Sequence, residues 1–171
     1  GKPLFVSTGA ASDKEVRAAV AKLSQSAKGR FALLHCVSLY PTPEAKANIG
    51  RIARLAALLP AGLNAPLGFS DHTEGTAAAF AAVVAGAQII EKHFTLDKNL
   101  PGPDQKMSFD PAEMASLRQQ IDLAHSIRSN PVNADCFKEE TTGDYYGKRS
   151  MYEFEGQKLA MRPQHPDFPL P

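Results

Sequence analysis

The chain has 171 residues, 43% of them hydrophobic and 22% charged, which is enough for one ordinary domain with a sizeable core. Its net charge of +1 excludes strong electrostatic steering towards nucleic acid or an anionic membrane surface. No apolar run has the length of a membrane span and no secretory signal is visible, so we expect a cytoplasmic protein. Cys36 and Cys136 lie in different contexts and suggest no disulfide framework.

Short apolar runs alternate with helical patterns along the first 130 residues. Strands are predicted at 3–7, which we expect to be buried, and at 31–37, 67–70 and 88–94. Helices are predicted at 12–26, from Thr42-Pro43 to about 59, at 75–85 and from Asp110 onwards. Ser12 with Glu15, and Asp110 with Glu113, have the spacing of helix-capping pairs. This alternation predicts parallel strand pairing through right-handed crossovers, the layout of a (β/α)8 barrel.

The chain holds about four such β/α units, whereas a complete barrel typically needs about 250 residues. From about Asn130 the alternation stops, so residues 131–171 are predicted to be a linker or arm that packs on something else. The end, Phe168-Pro169-Leu170-Pro171, cannot form regular structure because proline interrupts it twice.

Each predicted strand ends in polar residues, where barrel enzymes place their chemistry. Alternate residues of a strand share a face. Three pairs therefore point the same way and are expected to converge on one mouth if the strands are neighbours: Ser38 and Tyr40, Ser70 and His72, Glu91 and His93. His35 has the opposite parity and is expected to point into the helix layer, and Cys36 is expected to be a buried core thiol.

His72 and His93 are the best candidates for chemistry. Neutral imidazoles bind divalent transition metals, and two of them at neighbouring strand ends would leave positions open for water or substrate. Glu91 could orient such a site or act as an acid or base. Either histidine taken alone is more often a hydrogen-bonded structural residue than a metal ligand.

Two loops offer weaker signals. Ser7-Thr8-Gly9 could cradle a phosphate with hydroxyls and backbone N–H groups, or be an ordinary turn that caps a helix. The Pro101-Gly102-Pro103 loop would aim Asp104 at the mouth, or Asp104 could be a simple turn residue.

Five motifs occur in a fixed order between Lys2 and Ile127. They are Lys2-Pro3 with Ser7-Thr8-Gly9, His35-Cys36 with Tyr40-Pro41-Thr42-Pro43, Gly68-Phe69-Ser70-Asp71-His72-Thr73, Ile90-Glu91-Lys92-His93-Phe94-Thr95-Leu96-Asp97-Lys98, and Pro101-Gly102-Pro103-Asp104. In this the chain closely resembles the sialic acid synthase family, with its legionaminate, pseudaminate and spore-coat relatives. The resemblance implies a TIM-type barrel, of which this chain would supply strands five to eight.

The resemblance also implies an activity. The family condenses phosphoenolpyruvate with an N-acetylated amino-sugar aldehyde, such as N-acetylmannosamine, to a nine-carbon 2-keto acid and releases phosphate. By that resemblance His72 and His93 bind a divalent metal, Mn²⁺ or Mg²⁺, that polarises the aldehyde, and Glu91 is the acid or base beside it.

Substrate contacts follow from the same resemblance. Ser7, Ser38 and Ser70 would contact phosphate, although Ser38 stands where several members have asparagine. Tyr40 and Asp104 would hold the acceptor sugar. Gln105 replaces a histidine that is common after that aspartate, which would alter the choice of acceptor.

The resemblance stops at two places. The family's first half-barrel, with its lysine contacts to phosphate, has no counterpart here. Lys148–Tyr152 and Met161–Pro163 look like remnants of the C-terminal antifreeze-like domain, which in the family caps the partner's site in a dimer. We therefore expect a homo-oligomer, and weak or no synthase activity from this chain alone. One alternative is a non-catalytic half-barrel that assembles with itself or with a separate first half. The other is an unrelated metal-dependent aldolase or hydrolase.

Overall fold

The structure is a computed structural model that describes residues 2–26, 30–129, 151–154 and 157–160. The chain divides into two compact units, Gly1–Asn130 and Pro131–Pro171. Within the described ranges, no helix is both long and apolar enough to cross a membrane.

The first unit is an α/β half-barrel whose strands and helices alternate. Its strands are β1 (Leu4–Ser7), β2 (Phe31–Cys36), β3 (Leu67–Asp71) and β4 (Ile89–Lys92). Its helices are α1 (Asp13–Ser26), a 3₁₀ turn (Glu44–Lys46), α2 (Arg51–Leu58), α3 (Ala77–Val84) and α4 (Pro111–Ser129). The sheet order is β1-β2-β3-β4 and all three pairings are parallel. The predicted alternation and parallel pairing are confirmed.

Both predicted helix caps are present. The Ser12 N–H donates to Glu15 Oε2 at 2.8 Å, and the Glu15 N–H donates back to the Ser12 hydroxyl at 3.3 Å. Likewise the Asp110 N–H donates to Glu113 Oε2 at 3.0 Å, and the Glu113 N–H donates to Asp110 Oδ1 at 2.8 Å. Each pair satisfies backbone donors that the first helical turn leaves free, so local sequence sets where α1 and α4 begin.

The core lies mainly between the outer face of the sheet and the helices. Phe31 and Leu33 of β2 pack with Val16 and Val20 of α1, and with apolar residues of α2. Phe69 of β3 packs against alanines of α3 and Ile52 of α2. Alternate strand residues face this layer, which leaves the other set for the inner face of the curled sheet.

The second helix differs from its prediction, which ran unbroken from Thr42-Pro43 to about Leu59. The structure has a short 3₁₀ turn, a left-handed residue at Asn48 (φ 49°), and then α2. The Ala47 carbonyl, which would accept an N–H four residues later in a continuous helix, accepts Nε2–H of His35 at 2.7 Å instead. A buried side chain from β2 thus takes up a carbonyl that the helix would have used.

The first strand was predicted to be buried, and that prediction is wrong. Leu4 and Phe5 are 45% and 53% exposed. Among the described residues β1 pairs only with β2, so its other edge and most of its inner face stay open.

In the second unit, the described residues form an antiparallel hairpin, β5 (Met151–Phe154) with β6 (Gln157–Ala160), in which Met151 pairs with Ala160 and Phe154 with Gln157. The tail was predicted to be a linker or arm, and this hairpin was not predicted. Its signal was two short runs separated by the turn-forming dipeptide Glu155-Gly156. The predictions for Lys148–Ser150, Met161–Pro163 and Phe168–Pro171 lie outside the described residues.

Candidate functional site

Two neighbouring strands bring their polar ends together at the carboxyl edge of the sheet. The register pairs Ser70 of β3 with Glu91 of β4, and the Ser70 hydroxyl donates to Glu91 Oε1 at 2.6 Å. The His72 and His93 rings follow, with centroids 5.2 Å apart and planes at 74°. These four side chains therefore meet on the inner face, as the two-residue spacing predicted.

Tyr40 completes this cluster from the loop after β2. Its ring centroid lies 4.1 Å from that of His72 and 5.9 Å from that of His93. Tyr40 is also 55% exposed, so one side of its ring covers the histidines and the other faces solvent. An aromatic wall beside two imidazoles suits a site that binds a small polar molecule.

The hydrogen bond made by His72 decides which of its nitrogens is free. Nδ1 lies 2.8 Å from the Val37 carbonyl, which can only accept, so Nδ1 carries the hydrogen. In the neutral ring Nε2 then keeps its lone pair. A backbone carbonyl that fixes tautomer and ring orientation is the usual partner of a metal-ligating histidine, so this residue fits a divalent metal.

His93 is more open than His72 and has an acidic neighbour. Asp104 Oδ2 lies 3.9 Å from His93 Nδ1, which places the predicted sugar-binding residue beside the predicted metal ligand. Within the described ranges, no group of three or more His, Cys, Asp or Glu side chains is arranged to hold a metal ion. An ion held by this histidine pair would therefore take most of its ligands from water or substrate.

The loop that carries Asp104 is tied to the end of β4 by Gln105. Gln105 Oε1 accepts the Thr95 hydroxyl at 2.5 Å, and the Asp104 carbonyl accepts both the N–H and the hydroxyl of Ser108. In this structure Gln105 is engaged within the loop, so its influence on a ligand would pass through the position of Asp104.

The serines and the threonine predicted to bind phosphate differ in how exposed their hydroxyl groups are. Ser7 is exposed at the end of β1, whereas the buried Thr8 hydroxyl donates to the Leu34 carbonyl at 3.0 Å. A side chain at Gly9 would collide with the Ser38 hydroxyl and come within 3.0 Å of Cys36 Sγ. A side chain at this position would therefore have to displace the Ser38 and Cys36 side chains.

His35 lies away from the site, as expected, whereas the buried Cys36 thiol lies on the inner face with Sγ 3.9 Å from His72 Nδ1. His35 is 1% exposed, faces the helix layer and stacks on Phe69 with centroids 5.4 Å apart. Burial lowers the pKa of His35 and raises the pKa of the Cys36 thiol, so both stay neutral near pH 7.

An ion pair that was not predicted lies directly behind the cluster. Lys92 Nζ is 3.0 Å from Asp71 Oδ2, and the side chains are 2% and 0% exposed. Lys92 also donates to the Thr73 carbonyl and lies 4.4 Å from the Phe109 ring centroid. The sequence held a signal: opposite charges directly precede the two histidines, on the face that those histidines do not use.

Comparisons with known proteins agree with this geometry. The sequence pattern of the NeuB family matches residues 1–133. N,N'-diacetyllegionaminic acid synthase of Legionella pneumophila is 41% identical over 129 residues, which cover 73% of this chain and 35% of that protein. Spore coat polysaccharide biosynthesis protein SpsE of Bacillus subtilis is 35% identical over 167 residues, 94% of this chain and 42% of that protein.

Solved structures give the same result. The crystal structure of an N-acetylneuraminic acid (sialic acid) synthetase from Leptospira borgpetersenii matches with a TM-score of 0.72 and 34% identity, over 85% of this chain and 50% of that one. This chain thus spans well under two thirds of the length of its curated relatives. With the ordered motifs and the half-barrel already described, these matches show that the chain belongs to the NeuB family.

Proposed function

We propose that this chain supplies the metal- and sugar-binding half of a synthase barrel, corresponding to strands five to eight. The complete enzyme would join phosphoenolpyruvate to an N-acetylated amino-sugar aldehyde, giving a nine-carbon 2-keto acid and free phosphate. The observation that carries this proposal is the facing pair His72 and His93, with Nε2 of His72 unprotonated in the neutral ring, beside the hydrogen-bonded Ser70 and Glu91.

His72 and His93 would hold Mn²⁺ or Mg²⁺, which when bound would supply Lewis-acid polarisation of the aldehyde. Glu91 Oε1 is occupied by the Ser70 hydroxyl, so its second oxygen would exchange the proton. Tyr40 and Asp104 flank the histidines and would orient the acceptor sugar. In the overall reaction carbon 3 of phosphoenolpyruvate bonds to the aldehyde carbon, water adds at carbon 2, and the C–O bond to phosphate breaks.

Phosphate would meet hydroxyl groups from three strand ends: Ser7, Ser38 and Ser70. Ser70 would have to turn its hydroxyl away from Glu91 in order to donate to phosphate. Phosphate binding and the hydrogen bonding of Glu91 would thus be linked through one side chain. The lysine contacts to phosphate that the resemblance implies belong to the first half-barrel, so we expect this chain alone to bind phosphate weakly.

The metal part of the proposal is tested by titrating the chain with Mn²⁺ in a calorimeter. The wild-type chain should bind, His72→Ala should lose at least ten-fold in affinity, and His125→Ala on the exposed surface of α4 should match wild type. Unchanged affinity in His72→Ala would contradict the metal site. Phosphate release from phosphoenolpyruvate with a panel of amino-sugar aldehydes then tests the reaction class, with weak or no turnover expected from this chain alone.

A second candidate function is non-catalytic assembly with another copy or with a separate first half-barrel. It is favoured by the exposed Phe5 and Phe94 and by an apolar cavity of about 800 Å³ beside β4, lined by Phe5, Ile89, Phe94 and Met114 among others. Sedimentation at low micromolar concentration distinguishes the two. A dimer or larger species supports assembly, whereas a compact monomer counts against it.

A further inference from the structure

The Asp71–Lys92 pair occupies the outer face of the same two strand ends that carry the histidines. The sheet register pairs Asp71 with Lys92 directly, and each precedes one histidine of the pair by one residue. Asp71 Oδ1 accepts the Thr73 N–H at 2.8 Å, while Oδ2 accepts Lys92. Both oxygens of this carboxylate are therefore satisfied inside the protein.

Lys92 contacts the loop after β3 as well as β3 itself. Besides Asp71, its ammonium group donates to the carbonyl of Thr73 and lies 3.4 Å from that of Gly75. Those two carbonyls belong to the loop that follows His72. One side chain of β4 thus holds the end of β3, the loop after it and the face of the Phe109 ring.

Stability alone is a poor explanation for such a pair. Removing two charges from water opposes folding, and apolar residues of similar size often replace a buried ion pair with no loss of stability. A buried ion pair can instead help to fix one strand register, because a one-residue slip would separate the two charges.

We propose that Asp71 and Lys92 are positioning residues that set the separation and orientation of His72 and His93, and thereby the affinity of that pair for a divalent metal. This inference rests on the metal site of the proposed function. Val37 orients the His72 ring, whereas the ion pair fixes the backbone that carries both rings. Neither charged side chain would touch the metal, since both face the helices.

The test compares three variants with the wild-type chain by Mn²⁺ calorimetry and by urea unfolding. Lys92→Met leaves a buried carboxylate alone, and Asp71→Asn with Lys92→Met removes both charges while keeping an acceptor for Thr73. Asp13→Asn is the matched control, because it removes ion pairs to Arg51 and Arg54 far along the chain from the histidines.

We expect Lys92→Met to weaken Mn²⁺ binding by about 10- to 100-fold, the range found for residues that orient metal ligands. The double variant should recover much of the unfolding midpoint but keep the weakened Mn²⁺ binding. Asp13→Asn should bind as wild type does. If affinity recovers together with the midpoint in the double variant, the pair serves stability only and the inference is overturned. The double variant also answers the question if Lys92→Met does not fold.

A metal-free measurement separates this inference from the proposed function. Protons of the two imidazole rings should show an NMR cross-relaxation signal in the wild-type chain and in Asp13→Asn, because the ring centroids are 5.2 Å apart. The signal should be lost in the double variant. If the wild-type chain binds no Mn²⁺, the proposed metal site fails and the ring signal alone decides the positioning role. A signal that persists in the double variant overturns it.

Discussion

The two faces of the same strand ends use polar residues in opposite ways. On the inner face, Glu91 is exposed and His72 keeps an unprotonated nitrogen in its neutral ring. One residue away on the outer face, Asp71 and Lys92 are almost fully buried and bonded to each other and to nearby backbone. The sequence motifs interleave these two sets, yet only one set has capacity left for a ligand.

This contrast shows that the role of a charged residue in a motif depends on the face of the sheet that it occupies as much as on its residue type. Glu91 and Lys92 are neighbours in the chain, both charged, at the end of one strand. Because the helices cover the outer face, Lys92 had to find partners within the protein. Because the inner face is open at the mouth, Glu91 needs no charged partner and accepts the Ser70 hydroxyl.

The largest expected effect on stability comes from breaking the buried ion pair on the outer face. Lys92→Met leaves Asp71 buried and uncompensated, so we expect a loss of about 3–5 kcal/mol in the free energy of unfolding. Glu91→Gln, the matched change on the inner face, keeps an acceptor for Ser70 and should stay within about 0.5 kcal/mol of wild type. Urea denaturation measures both. Equal losses would remove the distinction between the faces.

A second prediction concerns the inner face below the mouth, where the strands are tightly packed. A side chain at Gly68 would collide with Leu34 and lie 2.7 Å from the Ile89 carbonyl oxygen, which the sheet holds in place. Gly68→Ala should therefore cost about 1–3 kcal/mol by overpacking.

The control for Gly68 is Gly50→Ala. Gly50 has a helical φ of −56°, and a methyl group added there would have no atom within 4 Å to obstruct it. Chemical denaturation of both variants should show a loss only for Gly68→Ala. If Gly68→Ala is as stable as wild type, the inner face is looser than its contacts indicate.

A third, smaller effect is the pH dependence contributed by His35. Burial lowers the pKa of His35 in the folded chain, whereas the unfolded chain binds a proton below about pH 6.5. Unfolding therefore takes up a proton in acid, so this contribution to stability is present above about pH 6.5 and is lost as the pH falls towards the lowered value.

His35→Gln should flatten the decline of the unfolding midpoint between about pH 7 and 5, since glutamine does not titrate. His125→Gln, on the exposed surface of α4, should leave the decline as it is. A decline that is the same in His35→Gln and in wild type would show that other groups are responsible.

The smallest effect is expected at an exposed ion pair. Arg118 and Asp122 contact each other one turn apart on α4, and both side chains are more than 60% exposed. Water and salt screen such a pair, so Arg118→Ala should not shift the urea midpoint measurably. A shift as large as that of Lys92→Met would mean that burial does not set the difference between ion pairs in this protein.

Local pattern was sufficient for much of the fold and for the composition of the candidate site. Alternating apolar runs indicated parallel pairing, and two capping pairs marked where α1 and α4 begin. The two-residue spacing of Ser70 with His72 and of Glu91 with His93 placed them on one face. These features depend on strand geometry and on neighbours in sequence, so a single amino-acid sequence is sufficient to predict them.

The tertiary structure decided what depends on distant partners. The predicted helix is interrupted after Ala47, whose carbonyl accepts the His35 side chain from β2. Leu4 and Phe5 are exposed because no described strand covers them, which their apolar character could not reveal. The roles of Asp71 and Lys92 required the register of β3 on β4 and a helix layer that excludes water. The sequence by itself determined which side chains share a face, and only tertiary packing decided which faces are closed.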